Sequence, residues 1–267
     1  MKTKQVAVGD SYLNVAVEGS GQPILFVHGF PLDHSMWRFQ FDEFAKRNCV
    51  ICPDLAGFGA SPASQTPTSM KSFAQDLVGL LDVLNVSQPV VYCGLSMGGY
   101  IGWQFWKHHR DRLSHLVACD TRAADDAPEV ARARKIAAQT VRKTGSQPVA
   151  DAMVEKLFFQ SNAPAKQPIV QPVHDVMMRT RAESIAGSQL AMAERPDETT
   201  WLAKINLPML FVVGEHDEIT PPDEMRANAD LVAGSDFLEI SNAGHMAPLE
   251  NPREFNRGLI AFLDRNC

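Results

Sequence analysis

Residues Val90 to Gly102 read VVYCGLSMGGYIG, an apolar run that ends at a glycine-flanked serine and then gives way to a second apolar pattern. The first half is typical of a strand buried on both faces, and the second half is typical of a helix. The pentapeptide GLSMG at residues 94–98 would by itself also fit a glycine-rich turn that happens to contain a serine. A sharp strand-to-helix turn needs small residues where the chain passes close to itself, and Gly94 and Gly98 stand two residues on either side of Ser96. The context therefore predicts a nucleophile elbow, with Ser96 held out at the carboxyl end of the strand beside the free N–H groups of the helix.

Strands and helices alternate on both sides of the elbow. Strand-like runs occupy residues 4–10, 11–19, 23–29, 49–54, 89–94, 113–120, 208–214 and 235–241. Helical patterns occupy residues 36–47, 70–85, 98–110, 222–232 and 252–265. The first two strands read as an antiparallel hairpin that turns at Gly9 and Asp10. The alternation elsewhere implies parallel crossovers, so the predicted fold class is α/β, with a mostly parallel central sheet flanked by helices.

The interval from Thr121 to Leu207 breaks this alternation. Its patterns are helical throughout, and it contains no convincing strand. We therefore expect a helical cap inserted after the sixth strand. In this division, residues 1–120 and 208–267 form the core and residues 121–207 form the cap.

A serine hydroxyl becomes reactive when a base lies within hydrogen-bond reach and a carboxylate orients that base. In a sheet of this class, reactive groups collect beyond the carboxyl ends of the strands. Two late loops offer candidates, because GEHDEITPP carries Asp217 and NAGHMAPLENP carries His245. The alternative acid is Asp120, which follows the sixth strand in VACDTR. Either acid gives the order serine, acid, histidine along the chain, with Asp217 as the first candidate and Asp120 as its alternative.

Five short motifs follow one another along the chain. They are HGF at residues 28–30, PDLAGFGAS at 53–61, GLSMGG at 94–99, GEHDEITPP at 214–222 and NAGHMAPLENP at 242–252. In this order they resemble the motifs of the α/β-hydrolase-fold serine hydrolases, and the likeness covers nearly the whole chain. The resemblance implies Ser96 as nucleophile, His245 as general base and then general acid, and Asp217 as the group that orients His245. It also implies an oxyanion hole made by the backbone N–H groups of Phe30 and Met97.

The resemblance extends to a substrate class. The chain is similar to 3-oxoadipate enol-lactonases and to the carboxylesterases and perhydrolase-like enzymes near them. The expected function is cleavage of small to medium carboxylic esters or lactones through an acyl-enzyme on Ser96. C–C hydrolysis, acyl transfer and perhydrolysis use the same three residues and stay open, as does a ligand receptor without turnover.

Three residues are candidates for the substrate pocket. Phe158 and Met177 belong to an apolar set in the cap that is expected to lie over the site, although most of that set would simply pack the cap onto the sheet. Arg122 follows the sixth strand and would meet a substrate carboxylate, or else form a surface ion pair. His28 and Asp54 are expected to shape their turns, and the role of His34 is open.

Composition limits the partners. The 267 residues carry a formal net charge of −6, which argues weakly against a nucleic acid or an anionic membrane. No window approaches eighteen consecutive apolar residues, and MKTKQVAVGD lacks the apolar core of a signal peptide. The expected partner is therefore a small ester or lactone, with no nucleic acid and no membrane.

Five cysteines and the absence of a secretory start favour free thiols in a reducing, cytoplasmic compartment. Cys49 and Cys52 have redox-motif spacing, but residues three apart on a strand point to opposite faces. Neither a zinc-protease H-E-x-x-H pattern nor a dinucleotide-binding G-x-G-x-x-G pattern occurs. We therefore expect no metal and no organic cofactor.

Overall fold

The computed structural model describes residues 1–63 and 68–266, and an eight-stranded sheet forms its centre. The strands are β1 (Thr3–Val8), β2 (Ser11–Glu18), β3 (Pro23–Val27), β4 (Cys49–Pro53), β5 (Val90–Leu95), β6 (Leu113–Cys119), β7 (Met209–Gly214) and β8 (Asp236–Ile240). They lie in the order β1-β2-β4-β3-β5-β6-β7-β8. The first two pairs in this order are antiparallel and the other five are parallel. This confirms the predicted α/β class and its amino-terminal hairpin.

Helices connect the strands. The α-helices are α1 (Arg38–Phe44), α2 (Met70–Val83), α3 (Met97–His109), α4 (Pro128–Thr144), α5 (Gln147–Leu157), α6 (Gln167–Arg179), α7 (Ala182–Ala193), α8 (Thr199–Leu202), α9 (Pro222–Asp230), α10 (Ala247–Glu250) and α11 (Pro252–Arg265). A 3₁₀ turn over His34–Trp37 precedes α1, so the helix expected from residue 36 begins two residues later. No helix in the described ranges is long and apolar enough to cross a membrane.

Both faces of the sheet are buried, because helices cover each of them. Residues of α2, α3 and α9 pack with Leu25 and Ile51 on one face, and residues of α1 and α11 pack with Ile24 and Val50 on the other. Side chains that alternate along a strand serve opposite faces, which explains the unbroken apolar runs of the central strands. Cys49 and Cys52 lie on opposite faces, as expected.

Helix α11 shows how the pattern specifies the packing. Its buried residues are Phe255, Leu259, Phe262 and Leu263. This spacing places all four on one side of a helix with 3.6 residues per turn, which is the side that meets the sheet. Polar residues such as Arg253 and Arg257 fall on the other side and are exposed.

Helices α4 to α8 all lie between β6 and β7, where the sequence predicts a helical insertion. The pattern after residue 171 reads as one continuous helical segment, but the structure breaks it between α6 and α7. Thr180 and Arg181 adopt extended backbone with ψ of 131° and 135°. The Thr180 hydroxyl lies 3.0 Å from the carbonyl oxygen of Pro31 and also from that of Val176. The contact to the loop after β3 is a long-range interaction, and sequence periodicity does not report it.

Candidate active site

Ser96 occupies the turn between β5 and α3 with a backbone conformation of φ 54° and ψ −113°. A positive φ is rare for a residue with a side chain and needs support from its surroundings. The Ser96 N–H donates to the Cys119 carbonyl at 2.9 Å, and the Ser96 carbonyl accepts from the Thr121 hydroxyl at 2.8 Å. Cys119 is the last residue of β6, and Thr121 follows it by two residues. These two hydrogen bonds to the neighbouring segment therefore stabilise the strained turn at Ser96.

The glycines around Ser96 are needed for close backbone approach. A Cβ on Gly94 would lie 2.4 Å from the carbonyl oxygen of Gly98, and one on Gly98 would lie 2.4 Å from that of Val27. A Cβ on Gly99 would lie 2.4 Å from the Thr121 hydroxyl oxygen. A side chain at Gly94 or Gly98 would therefore collide with neighbouring backbone, as the sequence predicts.

Asp217 and His245 form a buried pair at the ends of β7 and β8. His245 Nδ1 lies 2.8 Å from Asp217 Oδ2, and the two side chains are 2% and 0% exposed. The Thr220 hydroxyl donates to Asp217 Oδ2 at 2.6 Å, and the N–H groups of Ile219 and Thr220 donate to Oδ1. Burial by itself would raise the pKa of Asp217, but His245 and the Thr220 hydrogen bonds hold it below its ordinary value. Asp217 is therefore a stable anion beside the imidazole.

Asp120 lies in a different environment. It is fully buried, and its Oδ1 accepts from the Gly214 N–H at 2.8 Å. Its Oδ2 is buried without a hydrogen-bond partner in the described part of the chain. Burial raises the pKa of Asp120 well above its ordinary value, and the charge of Asp217 raises it further. The Asp120 side chain thus links the end of β6 to β7, and its environment favours the protonated carboxyl group. The described hydrogen bonds do not join Asp120 to His245.

The loops after β3, β5, β7 and β8 converge at one edge of the sheet. A Cβ on Gly29 would lie 3.4 Å from Ser96 Cβ, so the HGF loop touches the elbow. A Cβ on Gly214 would lie 2.0 Å from the carbonyl oxygen of Gly244. The end of β7 therefore touches the histidine loop, which is the segment 241–246 that carries His245. Within the described residues no direct hydrogen bond joins the Ser96 hydroxyl to His245. Such contacts are often long before substrate binds.

The HGF loop is held by His28. Its Nδ1 lies 2.8 Å from the Gly29 carbonyl oxygen, and its Nε2 accepts from the Leu55 N–H at 3.0 Å. Burial lowers the pKa of His28, so the ring acts as a neutral hydrogen-bonding link between two loops. The N–H groups of Phe30 and Met97 have no acceptor among the described hydrogen bonds.

Comparisons with known proteins show the family of this chain. The sequence profile of the family described as "alpha/beta hydrolase fold" matches residues 22–252. The chain belongs to the α/β-hydrolase family.

Several relatives of this α/β hydrolase match over nearly their full length. "3-oxoadipate enol-lactonase 2" of Acinetobacter baylyi is 29% identical over 96% of this chain and 94% of that protein. A thermophilic esterase from Thermogutta terrifontis superposes with a TM-score of 0.94 and 36% identity, covering 100% of this chain and 99% of the other. An enol-lactonase from Burkholderia xenovorans superposes with a TM-score of 0.90 and 28% identity, over 98% and 100% of the two chains.

Arg122, Phe158 and Met177 are the three pocket candidates of this hydrolase. The Arg122 guanidinium pairs with Glu224 at 3.0 Å and donates to the Ile219 carbonyl, so the ion-pair alternative is the arrangement seen. Phe158 lines a cavity of about 730 Å³ that Ser96 does not line. Phe158 and Met177 are both buried in the cluster on the α1 and α11 face of the sheet. Their contribution to a substrate pocket beside Ser96 stays a prediction.

Asp33, His34 and Asp54 form a cluster whose ligand-type atoms lie within 4.8 Å of one another. His34 Nδ1 lies 2.6 Å from Asp54 Oδ1, and Asp54 Oδ2 accepts from the side chain of Asn14 at 2.8 Å. Burial by itself would lower the pKa of His34, but Asp54 raises it above its ordinary value. The Asp54 carboxylate therefore has internal partners, which agrees with its expected role in organising the turn.

Sequence reasoning did not single out Thr220 or Glu250. Thr220 contacts Asp217 directly, and the carboxylate of Glu250 accepts from the Gly244 N–H at 2.7 Å, immediately before His245. Both residues lie inside the quoted motifs GEHDEITPP and NAGHMAPLENP. Their position inside these motifs could have marked them as candidates. Their hydrogen-bond partners could not be read from the sequence, because they depend on the fold.

Proposed function

We propose that this α/β hydrolase cleaves small to medium carboxylic esters or lactones through an acyl-enzyme on Ser96. The observation that carries the proposal is the buried Asp217–His245 pair at the sheet edge that also presents the strained Ser96 turn. The enol-lactonase and esterase relatives support an acyl substrate. The four described cysteines are free thiols, which supports the expected cytoplasmic compartment.

His245 is proposed as the general base. When its Nδ1–H donates to Asp217, Nε2 carries the lone pair and accepts the Ser96 proton. The Ser96 oxygen then bonds to the carbonyl carbon of the substrate. The Asp217 anion orients the imidazole and stabilises the imidazolium that forms.

The N–H groups of Phe30 and Met97 are proposed to bind the oxyanion of the tetrahedral intermediate. Such a donor contributes about 2.7–4 kcal/mol in enzymes where it has been removed. The C–O bond to the leaving alcohol then breaks, and the alcohol takes the proton from His245. Water next attacks the acyl carbon as it gives a proton to His245, and Ser96 leaves with that proton. Every proton is returned, so the cycle needs no other reactant.

Residues 121–207 are proposed to act as the cap over this site, with residues 1–120 and 208–267 as the core. Helices α4 and α7 of the insertion pack against each other, as do α5 and α6. Phe158 and Met177 are proposed to contribute to its apolar inner side. Arg122 is proposed to bind a substrate carboxylate only if the Glu224 ion pair opens.

A substrate panel tests the proposal. p-Nitrophenyl esters of increasing acyl length and a set of lactones should be hydrolysed, and Ser96→Ala should lower kcat by about 10⁶-fold while the circular dichroism spectrum is unchanged. A fluorophosphonate should label the parent protein and not the variant. Near-parental turnover by Ser96→Ala would disprove the nucleophile.

The same assay separates hydrolysis from perhydrolysis, acyl transfer and simple binding. Added peroxide or alcohol should change the products only if the acyl-enzyme prefers those acceptors to water. Labelling at Ser96 without turnover of any ester or lactone would instead favour a receptor.

A further inference from the structure

Glu250, in α10, is a buried carboxylate that joins two segments far apart in the chain. Its side chain is 0% exposed. Oε1 accepts from the Gly244 N–H at 2.7 Å, while Oε2 accepts from the Phe159 N–H at 3.1 Å and from Lys166 Nζ at 2.9 Å. One oxygen therefore holds the histidine loop and the other holds the helical insertion.

Lys166 contacts the same loop directly. Its Nζ donates to the carbonyl oxygen of Asn242 at 3.1 Å, so the loop is held both three residues and one residue before His245. A Cβ on Gly244 would lie 2.7 Å from the Phe159 nitrogen. The insertion and the histidine loop are thus in backbone contact at the point that Glu250 binds.

Phe159 also contacts the loop after β7 that carries Asp217. Its ring stacks on the His216 ring with centroids 3.7 Å apart and an interplanar angle of 23°. His216 directly precedes Asp217. A single residue of the insertion is therefore in contact with both loops that carry the Asp217–His245 pair.

A buried ion pair of this kind is a weak source of stability, because desolvation offsets much of the attraction. Burial raises the pKa of Glu250, against the opposing effect of Lys166 and the two N–H donors. An apolar residue of similar volume would avoid the desolvation cost but would leave the Gly244 and Phe159 N–H groups without an acceptor. The geometry is better explained by a need to fix two backbone segments together.

We infer that Glu250 is a positioning residue that, with Lys166 and Phe159, ties the His245 loop to the insertion and so holds the imidazole in its reactive orientation. This inference rests on the proposed function. Because a displacement of about 1 Å at a reacting group can cost about 100-fold in rate, a loosened loop should reduce kcat more than binding.

The test is Glu250→Gln, which preserves shape but removes the charge and one acceptor oxygen. We expect kcat on p-nitrophenyl acetate to fall by about 100-fold, with KM changed by less than about threefold. Rates are expressed per active site titrated with a fluorophosphonate. The rate constant for that labelling should fall in parallel, since it also needs His245.

Glu198→Gln is the matched control. Glu198 is a buried carboxylate of the insertion that pairs with Lys107 at 3.1 Å and accepts from Gln104 at 2.6 Å. Both partners lie more than two turns along α3 from Ser96, so the control should lower the melting temperature without lowering kcat. Equal kcat values for Glu250→Gln and Glu198→Gln, once corrected for titrated sites, would overturn the inference.

Lys166 provides a second, independent measurement if Glu250→Gln fails to fold. Lys166→Met should lower kcat and Lys166→Arg should restore most of it, because only the latter keeps a donor for both Glu250 and Asn242. Parental kcat in Lys166→Met would overturn the inference. Ser96→Ala in the same assay separates the two failures, since its full activity would disprove the proposed function whatever the Glu250 result.

Discussion

Two buried carboxyl groups, Asp120 and Asp217, lie at the ends of neighbouring strands and differ in their surroundings. Asp217 has an imidazole, a hydroxyl and two N–H groups around it, and its pKa is held low. Asp120 has one N–H group and a raised pKa. The anion that orients a general base must stay ionised, so the environment of Asp217 suits that role better.

We expect Asp217→Asn to lower kcat by about 10⁴-fold, because an amide cannot hold the imidazole in the required tautomer. Asp120→Asn should leave kcat within a few-fold, since the amide oxygen can still accept from the Gly214 N–H. Both are measured with p-nitrophenyl acetate at neutral pH. A larger loss in Asp120→Asn would assign the acid to Asp120.

The sequence predicted the elbow well, because its cause is local. Gly94, Ser96 and Gly98 are within five residues, and a Cβ at either glycine would collide with nearby backbone. The Asp217–His245 contact could be inferred only from motif order and from where parallel strands end. The contacts of Glu250 with Phe159 and Lys166 could not be predicted, because they depend on how the insertion lies on the sheet.

Helix α2 carries a half-buried carboxylate, Asp76, that has no hydrogen bond among the described residues. Burial raises the pKa of Asp76 from its ordinary value of 3.8 to about 6. The folded state therefore binds a proton more tightly than the unfolded state. It follows that Asp76 lowers the free energy of unfolding as the pH rises from about 4 to about 6.

We expect Asp76→Asn to increase the free energy of unfolding at pH 7 by about 1–2 kcal/mol, after allowance for solvent screening. The gain should disappear below pH 4, where the carboxyl is protonated in both states. Urea unfolding at several pH values measures this. Asp82→Asn is the control, since Asp82 lies on the same helix but is exposed and pairs with Arg112; a gain at pH 7 in both variants would contradict the assignment.

The insertion contains a buried charge cluster that also contacts the core of the molecule. Asp126 pairs with Arg134 at 2.5 Å and with Arg195 at 2.8 Å, and the Arg195 side chain is only 3% exposed. The Arg195 guanidinium also lies 4.3 Å from the centre of the Tyr100 ring in α3. The cluster therefore connects α4, the end of α7 and the core helix that follows Ser96.

Asp126→Ala should lower the free energy of unfolding by about 3–5 kcal/mol, because it leaves a buried guanidinium without its counter-ion. Asp264→Ala is the control, since it removes a surface pair with Arg47 and should cost no more than about 1 kcal/mol. Urea unfolding compares the two variants. Similar losses would show that Arg195 finds another partner when Asp126 is absent.

The position of the insertion between β6 and β7 has a consequence for how substrate range can change. These strands are parallel neighbours. Between Cys119 and Met209 the chain must therefore return from the carboxyl end of β6 to the amino end of β7, and such a crossover takes a dozen residues or more. Residues 121–207 are that return path, in addition to their proposed role as a cap. A chimaera that exchanges this stretch for one from another hydrolase can therefore vary its length widely, provided that enough chain remains to complete the crossing and leave the strand register undisturbed.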